Sequence, residues 1–182
     1  MKTYIAFLRG INVSGKNLIK MVELKQLFID CGFTKVTTYI QSGNVIFNVS
    51  ETTTSKIEQT VIDAIRKKFD YEVKVLVISK NELERIFKSN PFIKNNTKID
   101  ISKLCVTMLS QKTTVDNLTP IKELAANSKD EFILDDKKIY LNCPSGFGKT
   151  KLTNNLFERK LKVDATTRNW KTITKLVELS NQ

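Results

Sequence analysis

Residues 4–17, YIAFLRGINVSGKN, contain the pattern from which the fold of this chain can be predicted. The apolar run from Tyr4 to Leu8 is typical of a buried strand, and a polar, glycine-bearing loop from Gly10 to Asn17 follows it. Further along, residues 35–49 predict two strands that meet at the turn residues Gln41-Ser42-Gly43. A strand, a helix and a hairpin in this order open the split β-α-β plan.

The rest of the first half completes that plan. Apolar residues at helical spacing predict a helix after the loop, and Gly32 is its C-terminal cap. The predicted buried face of this helix is Met21, Leu24, Leu27, Phe28 and Cys31. A capping box from Ser55 to Glu58 predicts the start of a second helix. The order is β-α-β-β-α-β, with strands at 4–8, 35–40, 44–49 and 73–78.

The second half repeats this order of elements. A connecting helix at 79–88 is predicted from a second capping box, Ser79 to Glu82, and residues 90–100 predict a linker. The elements that follow are a strand at 104–109, a helix at 120–126, strands at 131–134 and 138–142, a helix at 151–161, a strand at 166–170 and a helix at 173–179.

We therefore predict an α+β protein made of two ferredoxin-like (split β-α-β) halves with an added C-terminal helix. The first half covers residues 1–79, and a connecting helix and linker cover 80–101. The second half, with the C-terminal helix, covers 102–182. A single larger α+β domain is the alternative.

The composition excludes several kinds of active site. The chain has no histidine, which removes Ser-His-Asp and Cys-His catalysis and His-ligated zinc or iron. Cys31, Cys105 and Cys143 are far apart in sequence and predict buried thiols instead of a disulfide framework or a metal site. No carboxylates have metal-ligand spacing, so no metal site is predicted, and the sequence does not identify a cofactor. Catalysis would depend on Lys, Arg, carboxylates, Tyr or a metal with oxygen ligands.

The charge of the chain favours an anionic partner. Lys and Arg number 30 against 19 acidic residues, a net charge of +11 that attracts phosphate, nucleotides or nucleic acid. The excess is +4 in residues 1–50, +1 in 51–135 and +6 in 136–182. Most of it therefore lies at the two ends of the chain, where the polar motifs also lie. A lysine-rich surface that serves only solubility is the alternative.

The loop from Gly10 to Asn17 is the first candidate for an anion site. Its spacing is G-x-x-x-x-G-K, and it lies between a predicted strand and helix, as a phosphate-binding loop does. A true nucleotide-hydrolysing P-loop is disfavoured, because Asn17 replaces the Ser or Thr that binds Mg²⁺ and no parallel sheet is predicted. Backbone N–H groups with Lys16, next to Arg9 and Asn12, suffice for a simpler anion site. A turn that needs glycine for its geometry is the alternative.

A second, weaker candidate is the loop from Pro144 to Thr150, which contains Lys149 and again joins a predicted strand to a helix. It lacks the full phosphate-loop spacing. The turn between the first two hairpin strands adds Ser42 and Asn44, whose hydroxyl and amide would lie beside the Gly10 loop in a split β-α-β sheet. Turn formation alone also explains these residues.

The segment from Arg168 to Lys171 is the third candidate. Arg168 offers bidentate contacts to a phosphate, and Trp170 offers a face on which a base can stack. In an extended segment these two side chains point the same way while Asn169 points opposite, so the guanidinium can pack on the indole. A core position for Trp170 is the alternative.

Several blocks of this sequence, in their order along the chain, resemble a bacterial family called domain of unknown function 1697. The similar blocks are residues 4–13, 15–17, 38–45 and 166–170, together with Met21, Leu24, Thr172 and Leu176. They cover nearly the whole chain. Ser14 departs from the family pattern, which has glycine there, and Thr150 stands in place of serine. The resemblance implies two ferredoxin-like α+β halves, and it implies no activity.

We expect the protein to bind an anionic, phosphate-bearing small ligand, nucleotide-like in character, in a basic cleft between the two halves. The expected ligand-binding residues are Arg9, Asn12, Lys16, Asn17, Ser42, Asn44, Lys149, Arg168, Asn169, Trp170 and Lys171.

Two other functions remain as alternatives. One is an RNA or single-stranded nucleic-acid module, although Phe7, Tyr39 and Phe47 lie on different predicted strands instead of forming one stacking surface. The other is a structural or interaction protein with no ligand. No apolar run is long enough for a signal peptide or a membrane span, so we expect a cytoplasmic protein without a membrane partner.

The most specific expectation is that Arg9, Lys16, Arg168 and Lys171 lie around one basic cleft. Cationic groups repel one another, so their convergence costs folding energy unless function requires it. Such a cleft would collect sulfate or phosphate, and a crystal soaked in phosphate would show the anion among the four side chains. Placement of Arg9 and Arg168 on opposite faces would contradict this expectation.

Overall fold

The structure, a computed structural model, describes residues 1–96, 98–113 and 118–182. Its strands are β1 (Lys2–Arg9), β2 (Thr34–Tyr39), β3 (Asn44–Val49), β4 (Lys74–Ser79), β5 (Leu104–Leu109), β6 (Glu131–Asp135), β7 (Lys138–Asn142) and β8 (Ala165–Asn169). Its helices are α1 (Met21–Asp30), α2 (Thr54–Phe69), α3 (Lys80–Lys88), α4 (Pro91–Asn95), α5 (Thr119–Ala126), α6 (Asn154–Leu161) and α7 (Trp170–Ser180). The order β-α-β-β-α-β occurs twice, which confirms the predicted fold class.

The first sheet is antiparallel and has the strand order β2-β3-β1-β4. β1 is central, because Ile5 lies opposite Ile46 of β3 on one side and Ile78 of β4 on the other. Alternate residues of a strand point to the same face, so one face of β1 packs against α1 and α2. This core contains Tyr4, Ala6, Leu8, Leu24, Leu27, Phe28, Phe47, Ile57, Val61 and Ile65.

The second sheet has the equivalent order β6-β7-β5-β8. β5 is central here, with Thr107 opposite Ile139 of β7 and Thr167 of β8. The helices α5 and α6 cover one face of this sheet. Their core contains Cys105, Leu109, Ile121, Ile139, Leu141, Leu156, Phe157 and Leu161.

The start of α2 differs from the prediction. The Thr53 hydroxyl accepts a hydrogen bond from the Lys56 N–H at 3.3 Å, so Thr53 is the N-cap and the predicted capping box from Ser55 to Glu58 is wrong. The Glu58 carboxylate instead accepts a bond from the Val77 N–H of β4 at 2.8 Å. The Glu58 side chain therefore bonds to a distant strand and not to the N-terminus of its own helix.

Two other helix boundaries test the sequence patterns. The Ser79 hydroxyl accepts a bond from the Glu82 N–H at 3.2 Å, which confirms Ser79 at the start of α3. The helix predicted from residue 151 begins at Asn154, because the Thr153 hydroxyl accepts a bond from the Leu156 N–H at 3.3 Å and caps it there.

The chain divides into two compact units, which we call the first and second units. The first unit comprises Met1–Arg85 and Leu176–Gln182, and the second comprises Ile86–Lys175. Each unit contains one of the two sheets. The predicted division into a first half at 1–79, a connecting segment at 80–101 and a second half at 102–182 stays a prediction.

Gly43 lies in the turn between β2 and β3, close to the end of β1. Its φ is +75°, and a Cβ atom at this position would lie 2.8 Å from Leu8 Cβ and 2.8 Å from Ile11 Cδ1. The Leu8 N–H also donates a hydrogen bond to the Gly43 carbonyl at 2.8 Å. Only glycine lets the turn between β2 and β3 approach β1 this closely.

Replacement of Gly43 with alanine should lower the free energy of unfolding by about 2–4 kcal/mol, because both the left-handed backbone and the overpacking are unfavourable. Gly15→Ala is the matched control, since its φ is +74° and a Cβ there meets nothing within 4 Å. The control should lose only about 1 kcal/mol, the backbone contribution. Urea unfolding followed by circular dichroism measures both variants, and equal losses would contradict the close-contact explanation.

Candidate functional site

The loop after β1 folds back on itself. Val13 and Lys16 form an isolated antiparallel bridge, in which the Lys16 N–H donates to the Val13 carbonyl at 3.0 Å. Between them, Ser14 and Gly15 have φ values of +50° and +74°. The helix α1 begins only at Met21, so this loop does not lead directly into a helix N-terminus as a phosphate-binding loop does. Lys16 itself is exposed on the loop.

Asn12 ties the loop to the neighbouring turn. Its amide nitrogen donates to the carbonyls of Ile19 at 2.9 Å and Gln41 at 3.0 Å, and its Oδ1 accepts from the Ile19 N–H at 2.9 Å. The Asn17 amide donates to the Gly10 carbonyl at 3.1 Å. These predicted ligand-binding side chains therefore bond to backbone groups of their own loop and turn.

The predicted site residues of the hairpin turn lie next to that loop. Asn44 is fully buried, and its amide donates to the Tyr39 carbonyl at 3.0 Å and to the Ser42 hydroxyl at 3.1 Å. Because Gln41 in the same turn accepts a bond from Asn12, the structure brings Asn12, Ser42 and Asn44 together around one turn. Arg9 is half-buried at the end of β1, opposite Lys74 of β4.

Arg168 is buried within β8, with 9% of its surface exposed. Its Nη1 donates to the Thr166 hydroxyl at 2.9 Å and to the Thr167 carbonyl at 3.0 Å. Burial lowers the pKa of Arg168 to about 10, which leaves the guanidinium charged at neutral pH. The side chain therefore contributes charge-assisted hydrogen bonds to the interior of the second unit.

Trp170 packs among other aromatic side chains of the second unit. Only 2% of its surface is exposed. Its ring stacks on Phe87, with centroids 5.8 Å apart and planes 10° apart, and its centroid lies 6.3 Å from that of Tyr140. A base could stack on the indole only after Phe87 had moved away.

The remaining predicted residues of the second unit differ in exposure and role. The Asn169 side chain accepts a hydrogen bond from the Thr172 N–H at 2.8 Å and so caps α7. Lys171 is exposed. The pKa of Asp100 is lowered mainly by hydrogen bonds from Ser102, and the charges of Lys103 and Lys171 lower it further. Lys149 is exposed within a short 3-10 turn.

The hydroxyl of Thr150, which follows Lys149, is held within the second unit. It donates to an Asp130 carboxylate oxygen at 2.5 Å and accepts from the Leu152 N–H at 3.0 Å. Thr150 therefore fixes the shape of its loop, whose exposed residues are Pro144, Ser145, Gly148 and Lys149.

A basic cavity in the second unit lies just beyond this loop, and the sequence patterns did not indicate it. The cavity has a volume of about 360 Å³ and is lined by Leu124, Lys151, Thr153, Asn155, Leu156 and Arg159. Asn155 and Arg159 are four residues apart and share a face of α6, and Lys151 precedes that helix. This spacing was visible in the sequence, but the contribution of Leu124 from α5 depends on how the two helices pack.

The three thiols show no sign of activation. Burial raises the pKa of Cys105 to about 12 and that of Cys143 to about 11, and it also raises the pKa of the half-buried Cys31. Thiolates are therefore rare at neutral pH, which disfavours nucleophilic cysteine chemistry. Among the described residues, no group of three or more Cys, Asp or Glu side chains is placed to hold a metal ion.

The structure distributes the predicted site residues over both units. Arg9, Asn12, Lys16, Asn17, Ser42 and Asn44 belong to the first unit, and Lys149, Arg168, Asn169, Trp170 and Lys171 belong to the second. The shared cleft around Arg9, Lys16, Arg168 and Lys171 stays a prediction. No helix in the described ranges has the length and apolar character needed to cross a bilayer.

The two four-stranded antiparallel sheets define a ferredoxin-like α+β protein in which one plan occurs twice. The family model described as "Protein of unknown function (DUF1697)" matches residues 1–140, and the chain belongs to that family. The conserved bacterial protein SP0830 from Streptococcus pneumoniae has a similar structure, with a TM-score of 0.75 and 23% sequence identity over 98% of each chain. At this identity the similarity shows the fold alone. No curated protein matches the chain in sequence.

Replacement of Asn12 with aspartate should lower the free energy of unfolding by about 2–3 kcal/mol, because the two hydrogen bonds that its amide donates are lost while Oδ1 remains. Asn17→Asp, which loses one donated bond, should lose only about 1 kcal/mol. Chemical unfolding at fixed pH measures both. If Asn12 served a ligand instead of the loop, Asn12→Asp would weaken ligand binding without changing stability.

Proposed function

We propose that this protein binds an anionic, phosphate-bearing small molecule, and that the basic cavity of the second unit holds its phosphate. The observation that carries the proposal is the lining of that cavity. Lys151 and Arg159 supply two positive charges, and none of the described lining residues is acidic. Two cations that share one concave surface without an acidic lining residue favour an anion.

The other lining residues fit a phosphate ester better than a free ion. Leu156 is buried in the core, and Leu124 is partly buried against it, so the two form an apolar floor. The polar side chains of Thr153 and Asn155 lie at the same cavity. A pocket that combines an apolar floor with a few polar groups suits a ligand with both an apolar and a charged part. Arg159 can form bidentate bonds to a phosphate, and Lys151 adds a point charge.

A cavity in the first unit supports an anion less well. It has a volume of about 430 Å³, and Lys35 is the one cation among the described residues that line it. The exposed Lys16 lies on the separate Val13–Lys16 hairpin. The cation pair of the second unit is therefore the arrangement on which the proposal depends.

Isothermal titration with inorganic pyrophosphate and with adenosine triphosphate, at constant ionic strength, tests the proposal. Arg159→Gln and Lys151→Gln should each weaken binding about tenfold or more, because each removes a charge-assisted contact. Lys129→Gln is the matched control, since Lys129 is an exposed cation of the same unit outside the cavity lining. Equal affinity in all variants, or no binding by the wild-type protein, would make the proposal wrong.

The same titration separates the alternatives. Loss of binding in Lys16→Gln and Lys171→Gln, with Arg159→Gln unaffected, would favour the cleft predicted between the two halves. A labelled single-stranded RNA whose affinity falls steeply with salt would favour a nucleic-acid module. Neither result is expected if the basic cavity is the site.

A further inference from the structure

The strand β6 is a regular and exposed edge of the second sheet. All five of its residues pair with β7 in unbroken register, from Glu131 opposite Asn142 to Asp135 opposite Lys138. No described strand pairs with its other side. Its residues alternate between exposed and half-buried, and Ile133 has 38% of its surface exposed. An exposed strand edge offers backbone N–H and C=O groups for pairing with another chain.

The other edge strands of the described sheets are less suited to pairing. In β2 the register shifts between Thr34 and Thr37, where Lys35 has a φ of +49°. Such an irregularity protects an edge from further pairing. In β4 the Val77 N–H already donates to the Glu58 carboxylate at 2.8 Å, and in β8 the Ala165 N–H donates to the Glu158 carboxylate at 3.1 Å, so side chains of α2 and α6 occupy backbone donors of these strands.

A groove lies between β6 and α5. It has a volume of about 470 Å³, and Ala125 and Ala126 of α5 line it together with Phe132 and Ile133 of β6. The small alanine side chains leave room for side chains of an added strand. Phe132 packs partly against the core, so an apolar side chain in the groove would cover its remaining surface.

The charge of this edge is opposite to that of the whole chain. Residues 130–136, DEFILDD, contain four carboxylates and no cation, in a chain whose net charge is +11. Lys138 pairs with Asp135 at 3.2 Å, and Lys112 pairs with Asp136 at 3.0 Å. Glu131 is exposed and forms no ion pair with a described residue. Glu131 therefore retains an unpaired negative charge beside the apolar residues of the edge, and Lys122 of α5 is the one cation among the described residues that line the groove.

A second copy of the chain is a poor occupant for this edge. If two β6 strands paired antiparallel about Ile133, each Glu131 would lie opposite Asp135 of the other copy. Like charges that face each other directly across a strand pair are destabilising. The carboxylates therefore disfavour self-pairing and favour a partner strand that carries cations.

We propose that β6 is a docking edge that takes up an extended, basic segment of another protein as an additional strand. The segment would alternate cationic and apolar residues. Alternate residues of β6 face opposite sides of the sheet. The cations of the segment would therefore lie on the face of Glu131, Ile133 and Asp135. Its apolar side chains would enter the groove beside Phe132. This inference does not depend on the basic cavity or on its ligand.

Fluorescence anisotropy with a labelled peptide that alternates lysine and valine tests the proposal on the full chain. A peptide with glutamate in place of lysine should bind at least about tenfold more weakly, because its charges repel the edge. A lysine–valine peptide methylated on alternate backbone nitrogens should also lose binding about tenfold or more, since strand addition depends on main-chain hydrogen bonds.

Glu131→Lys should weaken binding of the lysine–valine peptide by about tenfold, while Glu23→Lys, the same charge change at an exposed residue of the first unit, should leave it unchanged. Hydrogen exchange should show new protection in β6 when the peptide is bound. The proposal is wrong if the methylated peptide binds as well as the unmethylated one, or if the two variants behave alike. A concentration-dependent dimer that Ile133→Lys abolishes would assign the edge to a second copy and overturn it.

Discussion

The close approach of Gly43 to Leu8 and Ile11 is the contact on which the first unit depends. A Cβ atom at position 43 would lie 2.8 Å from Leu8 Cβ and from Ile11 Cδ1. Because glycine has no Cβ, the turn after β2 can pack directly against the end of β1. Asn12 then bonds to both sides of the gap, to Ile19 in the loop and to Gln41 in the turn. The central strand, the loop and the hairpin turn are thereby held as one piece, with their backbone polar groups satisfied.

This arrangement gives a physical role to polar residues that otherwise suggest a ligand. Few residues other than asparagine both accept a left-handed φ and form side-chain hydrogen bonds to the nearby backbone. A loop can therefore require asparagine at a position for structural reasons alone. Asn12 and Asn17 have φ values of +54° and +48° and use their amides in this way. Their side-chain polar groups therefore serve the fold of the first unit.

The second unit shows why net charge alone does not locate a site. Within this one unit, Lys151 and Arg159 line a cavity without an acidic neighbour among its described lining, while residues 130–136 form an acidic strand edge. Arg168, which a sequence pattern favours as a phosphate ligand, is instead buried and bonded to neighbouring oxygens. The local arrangement of charge, and the solvent exposure of each group, decide which ions can be attracted.

The sequence by itself determined the order of the strands, the ferredoxin-like plan and the family, because these depend on the spacing of apolar residues and on short, ordered blocks. It also determined the order of the helices except α4 (Pro91–Asn95), which forms within the stretch predicted as a linker because the Asn90 side chain accepts a hydrogen bond from the Phe92 N–H and caps it. It also determined that no histidine chemistry is available. The local capping motif at Ser55 gave a wrong prediction. The Glu58 carboxylate accepts a hydrogen bond from the Val77 N–H of β4, and the Thr53 hydroxyl caps α2. Only the tertiary structure decided that Trp170 is enclosed by Phe87 and Tyr140, that Leu124 completes the basic cavity, and that β6 is an open edge. The reason is that burial and enclosure arise from residues far apart in the chain, whose meeting depends on how whole elements pack.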